Sequence, residues 1–197
     1  MPAAKRELTT ADILSPEDYA RLRDARRSAI MAAKKNRRVS VGPYATFYFE
    51  NYDTMWLQVQ EMLRTEKGGV EQAADELRAY NPLIPKGKEL VATVMFEIED
   101  LRRRQEVLST LGGVERMIEL RLGKDVIVGQ PEQDLAYTSE EGKASSVQFV
   151  HFPFTSQQIA AFRAGQGDAV LAITHPHYGH MAVIPRIVRD ELAKDFD

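Results

Sequence analysis

Apolar positions recur along this chain with two rhythms. Tyr19, Leu22, Ala25, Ala29, Ile30 and Ala33 return every third or fourth residue, the period of one helical face. Ser15-Pro16-Glu17-Asp18 opens that helix with a capping hydroxyl, a proline at the first helical position and acid in the first turn. The pattern carries the helix to about Asn36. Val39 to Glu50 reads as extended, with a turn at Gly42-Pro43 and the β-prone run Ala45-Thr46-Phe47-Tyr48-Phe49. Asp53 or Thr54 then caps a second helix with Met55, Trp56, Val59, Met62 and Leu63 on its inner stripe, ended by Gly68-Gly69. A third helix has Val70, Ala73, Ala74 and Leu77 inside. It stops at Asn81-Pro82 and Pro85, because proline cannot donate to a helix and turns its predecessor away from helical angles.

The second half alternates with period two. Leu90, Ala92, Val94, Phe96 and Ile98 share one face of a strand, and Val91, Thr93, Met95, Glu97 and Glu99 the other. Leu101 to Leu111 is a weaker helix before Gly112-Gly113. Val114 to Leu122 alternates again and turns at Gly123-Lys124-Asp125 into Val126 to Val128. Gln130 to Ser145 is polar, without period and long for a loop in a compact domain, either a functional lid or a tolerated excursion, with the excursion favoured. Val147 to Phe152 is a strand, and Thr155 with Gln158 forms a capping box before Ile159 and Phe162. Ala169 to Thr174 and Met181 to Ile184 are strands around a tight His175–His180 connection. Pro185 begins a last helix with Ile187, Val188, Leu192 and Ala193. Strict strand–helix–strand alternation is missing. The expected fold is therefore α+β, a mainly antiparallel sheet with helices packed on one face and an N-terminal helical arm. Residues 1–14 are expected as a flexible lead-in, and 15–197 as a single domain with the 130–145 loop.

Composition narrows the function. With 197 residues, 44% hydrophobic, the chain suits one folded domain rather than a disordered one. A net charge of −3 gives no global pull toward nucleic acid or anionic membrane. The absence of cysteine excludes disulfides, zinc fingers, thiolate-held iron–sulfur clusters and a cysteine nucleophile in this chain. No apolar run is long enough to span a bilayer, and the first residues carry no secretion signal, so the expectation is a cytoplasmic protein without a membrane partner. Phosphate-binding glycine loops and the G-x-S-x-G elbow are missing.

Four groups of residues could carry chemistry. His175, His177 and His180 place three of the four histidines in one turn, where imidazoles could converge on a divalent transition metal, with His151 or a carboxylate completing the set. Glu97 and Glu99 share a strand face about 7 Å apart, a spacing open to a metal bridge, an acid/base pair or surface ion pairs. Glu50, Asn51, Gln58, Gln60, Glu61 and Arg64 cluster at a strand-to-helix junction, as a buried polar network, a contact face for a partner or ligand, or capping and junction bonds. Arg21, Arg23, Arg26, Arg27, Lys34, Lys35, Arg37 and Arg38 make a basic stretch, but it has little aromatic interleaving, and a solvated helix is favoured over nucleic-acid contact. The aromatic edge at Phe47 to Phe49 is compatible with a homodimer.

Several segments together resemble one bacterial family, the uncharacterised domain of unknown function 3501. They are Asp12-Ile13-Leu14, Lys35-Asn36-Arg37-Arg38-Val39 leading to Val41-Gly42-Pro43, and Phe49-Glu50-Asn51 running into Gln58-Val59-Gln60-Glu61-Met62-Leu63-Arg64. Tyr80-Asn81-Pro82-Leu83-Ile84-Pro85, Glu97-Ile98-Glu99 and His175-Pro176-His177-Tyr178 complete the set. The resemblance implies association with rubrerythrin-like di-iron proteins and iron–sulfur oxidoreductases. Two readings follow. The first is a non-catalytic accessory protein of a redox system, contacting a protein partner through Glu50, Asn51, Gln58, Glu61 and Arg64. The second is a small metal-binding protein or metal-dependent enzyme using His175, His177 and His180 with Glu97 or Glu99.

Overall fold

The computed structural model describes residues 5–66, 69–133 and 136–197. Helix α1, Pro16–Lys34, starts where expected, with the Ser15 side chain accepting from the Asp18 amide. The hairpin of β1, Arg38–Val41, and β2, Ala45–Glu50, turns at Gly42. Helix α2, Tyr52–Glu66, is capped one turn earlier than the sequence suggests. The Asn51 side chain accepts from the Thr54 amide while Thr54 returns the bond to the Asn51 amide. Helix α3, Gly69–Tyr80, follows; Gly68 as a helix stop and the Val70 side chain lie outside the described residues.

Strand β3, Glu89–Phe96, ends before Glu97 and Glu99, so these two sit beyond the sheet, not on it. Helix α4 is Leu101–Ser109. Val114–Arg116 forms a short 3-10 turn, and only Ile118–Leu122 is strand β4, since the alternation read at Val114 is a buried turn. The remaining elements are β5 (Asp125–Val128), β6 (Gln130–Pro131), β7 (Val147–Pro153), α5 (Ser156–Ala164), β8 (Ala169–His175), β9 (Tyr178–Val183) and α6 (Arg186–Leu192). The capping box at Thr155 and Gln158 forms as expected.

The fold is α+β, with its strands divided between two antiparallel sheets. One has the order β1-β2-β3-β7-β6 and the other β5-β4-β8-β9. Alternation explains the layering. Leu90, Ala92, Val94 and Phe96 of β3 join Phe47, Phe49 and Phe152 in a core shared with Leu120, Ile127, Leu171 and Ile173 of the second sheet. Val91 faces the other way, into a core with Tyr19, Ile30, Met55, Trp56 and Val59 from α1 and α2. The five-stranded sheet is thus a middle layer, with helices on one side and the second sheet on the other. Strand β2 pairs on both edges, so the run Phe47–Phe49 is interior, not the exposed edge that suggested a homodimer.

Two stretches expected to be loose carry fixed contacts. In the lead-in, Leu8 is buried, and its backbone exchanges two bonds with the Asn81 side chain. Arg6 donates to the carbonyls of Pro85 and Asp195 and to the carboxylate of Asp197, whose amide donates to Gly87. The polar excursion begins as β6, paired to β7, and Thr138 bridges Ala144. No described helix is long and apolar enough to cross a membrane.

Candidate functional site

The junction residues run from the end of β2 along α2, and most of them are engaged with neighbouring elements. Glu50 is buried, with one carboxylate oxygen accepting from the Thr93 hydroxyl at 2.8 Å. Asn51 is used as the cap of α2. Gln58 donates to the Tyr80 hydroxyl at 3.4 Å. Glu61 accepts a forked pair from Arg23 at 2.7 and 2.8 Å and a further bond from Tyr19. The Arg23 guanidinium overrides partial burial and, with Tyr19, holds the Glu61 carboxyl at about 2. Arg64 is exposed and makes no ion pair among the described residues. Gln60, one turn before it, is 2% exposed, and its Nε2 has no hydrogen-bond partner. The basic stretch divides likewise. Arg23 is occupied by Glu61, Arg26 lies 5.5 Å over the Trp56 ring, and Arg37 is buried.

The histidine turn is built by the β8–β9 hairpin. His175 points inward beside Ile173 and Leu171, and both its ring nitrogens are engaged. Nε2 is 3.3 Å from the Gly112 carbonyl, and Nδ1 accepts from the His177 amide at 3.2 Å. The His180 ring stands edge-on to Tyr178 at 4.5 Å and covers Gly42, whose φ of +70° and lack of Cβ permit the approach. The Tyr178 hydroxyl donates to the Val41 carbonyl and accepts from the Tyr44 and Ala45 amides, which locks this turn onto the β1–β2 hairpin. Glu97 is exposed and accepts from the Tyr48 hydroxyl at 2.8 Å, and Glu99 is exposed. Among the described residues, no group of three or more histidines and acids is placed to hold a metal ion. His175, His177, His180, Glu97 and Glu99 therefore do not converge.

The fourth histidine occupies the most strongly charged spot in the middle layer. His151 on β7 meets Glu89 of β3 through Nδ1 at 3.0 Å and Glu132, just past β6, through Nε2 at 2.8 Å. Sequence reading missed this clasp because its three members lie far apart in the chain; the alternation along 147–152 marked only which face His151 would take. Burial disfavours the charged ring, but the two carboxylates outweigh it and raise His151 above 6.5. Burial likewise pushes Glu89 up, and His151 more than reverses this, leaving Glu89 below 4.5. The sign follows from linkage. The imidazolium stabilises the fold fully below 6.5 and loses that effect as pH rises through its elevated value. Glu89 stabilises fully above 4.5 and loses that effect as pH falls through its lowered value. His151→Gln is expected to cost about 2 kcal/mol between those two values, and less at pH 9. Thermal melts across pH at fixed ionic strength measure this, and a penalty independent of pH contradicts it.

Among the described residues, no helix or sheet covers the outer face of the second sheet. Register places Val126, Val128, Arg121, Glu119, Val170, Met181 and Val183 on that face. Val126, Val128, Met181 and Val183 are 51%, 58%, 60% and 56% exposed. Arg121 is paired with Glu119 and also reaches the Met181 sulfur at 3.5 Å. The pattern of β5 and β9 carried the signal, since apolar residues occupy both faces there.

The chain is similar to a protein of unknown function from Burkholderia pseudomallei K96243, known from a crystal structure. The two are 33% identical, with a TM-score of 0.89, over 96% of this chain and 99% of that one. No curated protein matches the chain. The family described as "Protein of unknown function (DUF3501)" matches residues 7–196. The fold, the length of the match and the shared sequence agree, and the chain belongs to the DUF3501 family.

Proposed function

We propose that this protein is a non-catalytic accessory component of a redox system and acts by docking on a protein partner. The observation that supports the reading most is the bare outer face of the second sheet. Its exposed apolar side chains lie on the two edge strands, Val126 and Val128 on β5 and Met181 and Val183 on β9, to either side of the Glu119–Arg121 pair, and covering them is favourable at about 25 cal/mol per Å². Its two charges, Glu119 and Arg121, neutralise each other, so the face suits a flat, uncharged partner surface. The inward engagement of Glu50, Asn51 and Glu61 moves the contact region away from the junction first considered for it. The redox character of the partner rests on the family resemblance in the sequence.

The test is co-purification from the native host with a Val128→Asp, Met181→Asp double variant. The wild type is expected to retain a di-iron or iron–sulfur protein that the variant loses at least tenfold. Melting of the variant should change little, because both side chains are exposed. Equal recovery by both forms contradicts the reading. So does the absence of any redox protein, or light scattering that shows this face buried between two copies of the chain.

A further inference from the structure

A second feature, independent of the sheet face, points to a small ligand. Between the segment before α1 and the paired helices α2 and α3 lies a cavity of about 930 Å³, within the range that holds small molecules. Its walls are mainly aliphatic, with Ile13, Leu14, Leu63 and Ala73, and Tyr19 is the one aromatic ring among the residues lining it. Besides the hydroxyls of Thr10, Ser15 and Tyr19, an amide and a guanidinium break this lining at one point. Gln60 and Arg64 are four residues apart on α2, so they neighbour each other across one turn.

Their states are complementary. Gln60 is 2% exposed, and its Nε2 lacks any hydrogen-bond partner, an arrangement that native interiors rarely keep. The last torsion of a glutamine is soft, so the amide can present its N–H₂ end to a group in the cavity. Arg64 holds an exposed guanidinium without a carboxylate among the described residues. Of the hydroxyls in the lining, Tyr19 donates to Glu61 and Ser15 caps α1, which leaves that of Thr10. An enclosed amide donor beside a free cation, above an aliphatic hollow, fits a carboxylate on an alkyl chain.

We propose that this cavity binds a straight-chain alkanoate, its carboxylate held by Gln60 and Arg64 and its chain lying along Ile13, Leu14 and Leu63. Gln60 serves any carbonyl oxygen at that point, whereas Arg64 serves only a charged head. Chain length acts through burial, and each added pair of methylenes should tighten binding by roughly tenfold.

Calorimetric titration of the full chain with octanoate, decanoate and methyl decanoate tests this. Decanoate is expected to bind one per chain and roughly tenfold more tightly than octanoate. Arg64→Gln should weaken decanoate at least fivefold and leave methyl decanoate unchanged. Gln60→Leu, which keeps the side-chain bulk, should weaken both at least fivefold. Melting curves of both variants establish that they are folded, and Arg64→Gln, on an exposed side chain, decides the matter if Gln60→Leu does not fold. Absence of saturable decanoate binding overturns the proposal, as does binding that follows chain length but ignores both substitutions.

Discussion

Replacing Arg37 by methionine is expected to lower the melting temperature by roughly 6–20 °C, while Arg38→Met, at the exposed neighbouring position, changes it by no more than about 2 °C. Arg37 is 2% exposed. Its Nε donates to the Phe49 carbonyl and one terminal nitrogen to the Glu50 carbonyl, each at 3.1 Å, and the guanidinium pairs with the buried Asp195 carboxylate. One side chain therefore ties the end of β2 to the C-terminal turn. Removing one partner of a buried pair costs about 3–5 kcal/mol, because the other is left charged and unsolvated. That is a large part of the ~5–15 kcal/mol by which domains are stable. Burial already pushes the Asp195 carboxyl above its ordinary value, with Arg37 opposing the rise. Without Arg37 the group rises further, so it favours the fold in its neutral form and opposes it as pH rises through that value. The penalty should accordingly be largest near neutrality and shrink toward acid. Arg37→Lys should recover little, since an ammonium lacks the forked donors. Calorimetric unfolding at two pH values measures all three, and a loss below about 1 kcal/mol for Arg37→Met refutes the account.

Arg189→Ala should cost about 3 kcal/mol and loosen one end of α5 more than the rest of the molecule. Arg189 lies almost wholly buried on α6 and faces carbonyls, not acids. It donates to Phe162, Gly167, Ala161 and Gln166 at 2.6–3.2 Å, and its guanidinium lies 4.9 Å over the Phe162 ring. Ala161 and Phe162 belong to the last turn of α5, where their carbonyls also accept from the Gly165 and Gln166 amides that close the helix, so Arg189 reinforces this cap. Burial lowers the Arg189 pKa from its ordinary value, but a guanidinium keeps its proton throughout the working range, so the effect should not vary between pH 5 and 9. Amide exchange should accelerate most at residues 161–167. Uniform acceleration across both sheets would show that Arg189 acts globally instead of at this helix end.

What was legible in the sequence is what neighbouring residues determine among themselves. Ser15 with Asp18 and Thr155 with Gln158 announce helix starts because the bonds close within three residues. The strict alternation of Leu90 to Phe96 announces a strand whose two faces meet different layers, and Val91 and Ala92 are both buried, one on each side of β3. Partner choice among strands is not local, so the division into two sheets, and with it the interior place of Phe47, could not be read from the run of aromatics. Charge misled in the same way. Arg37 read as part of a solvated basic stretch, because a guanidinium in the sequence gives no hint of distant carbonyls waiting for it. Of the chemical candidates, the cluster from Glu50 to Arg64 was found as a cluster, but which members face inward depends on Thr93, Arg23 and Tyr19, all remote in sequence. The cavity beside Gln60 went unseen for want of any period in residues 5–14; the apolar pair Ile13-Leu14 directly ahead of the Ser15 cap was the available sign.

The bond from Arg6 to Asp195 and Asp197 has a consequence for synthesis. A ribosome adds about 5–20 residues each second, so the sixth residue must wait on the order of 10–40 s before its partners emerge. Until then the Arg6 guanidinium has neither acid nor the Asp195 carbonyl to bind, so this seam cannot close before residues 195–197 are made.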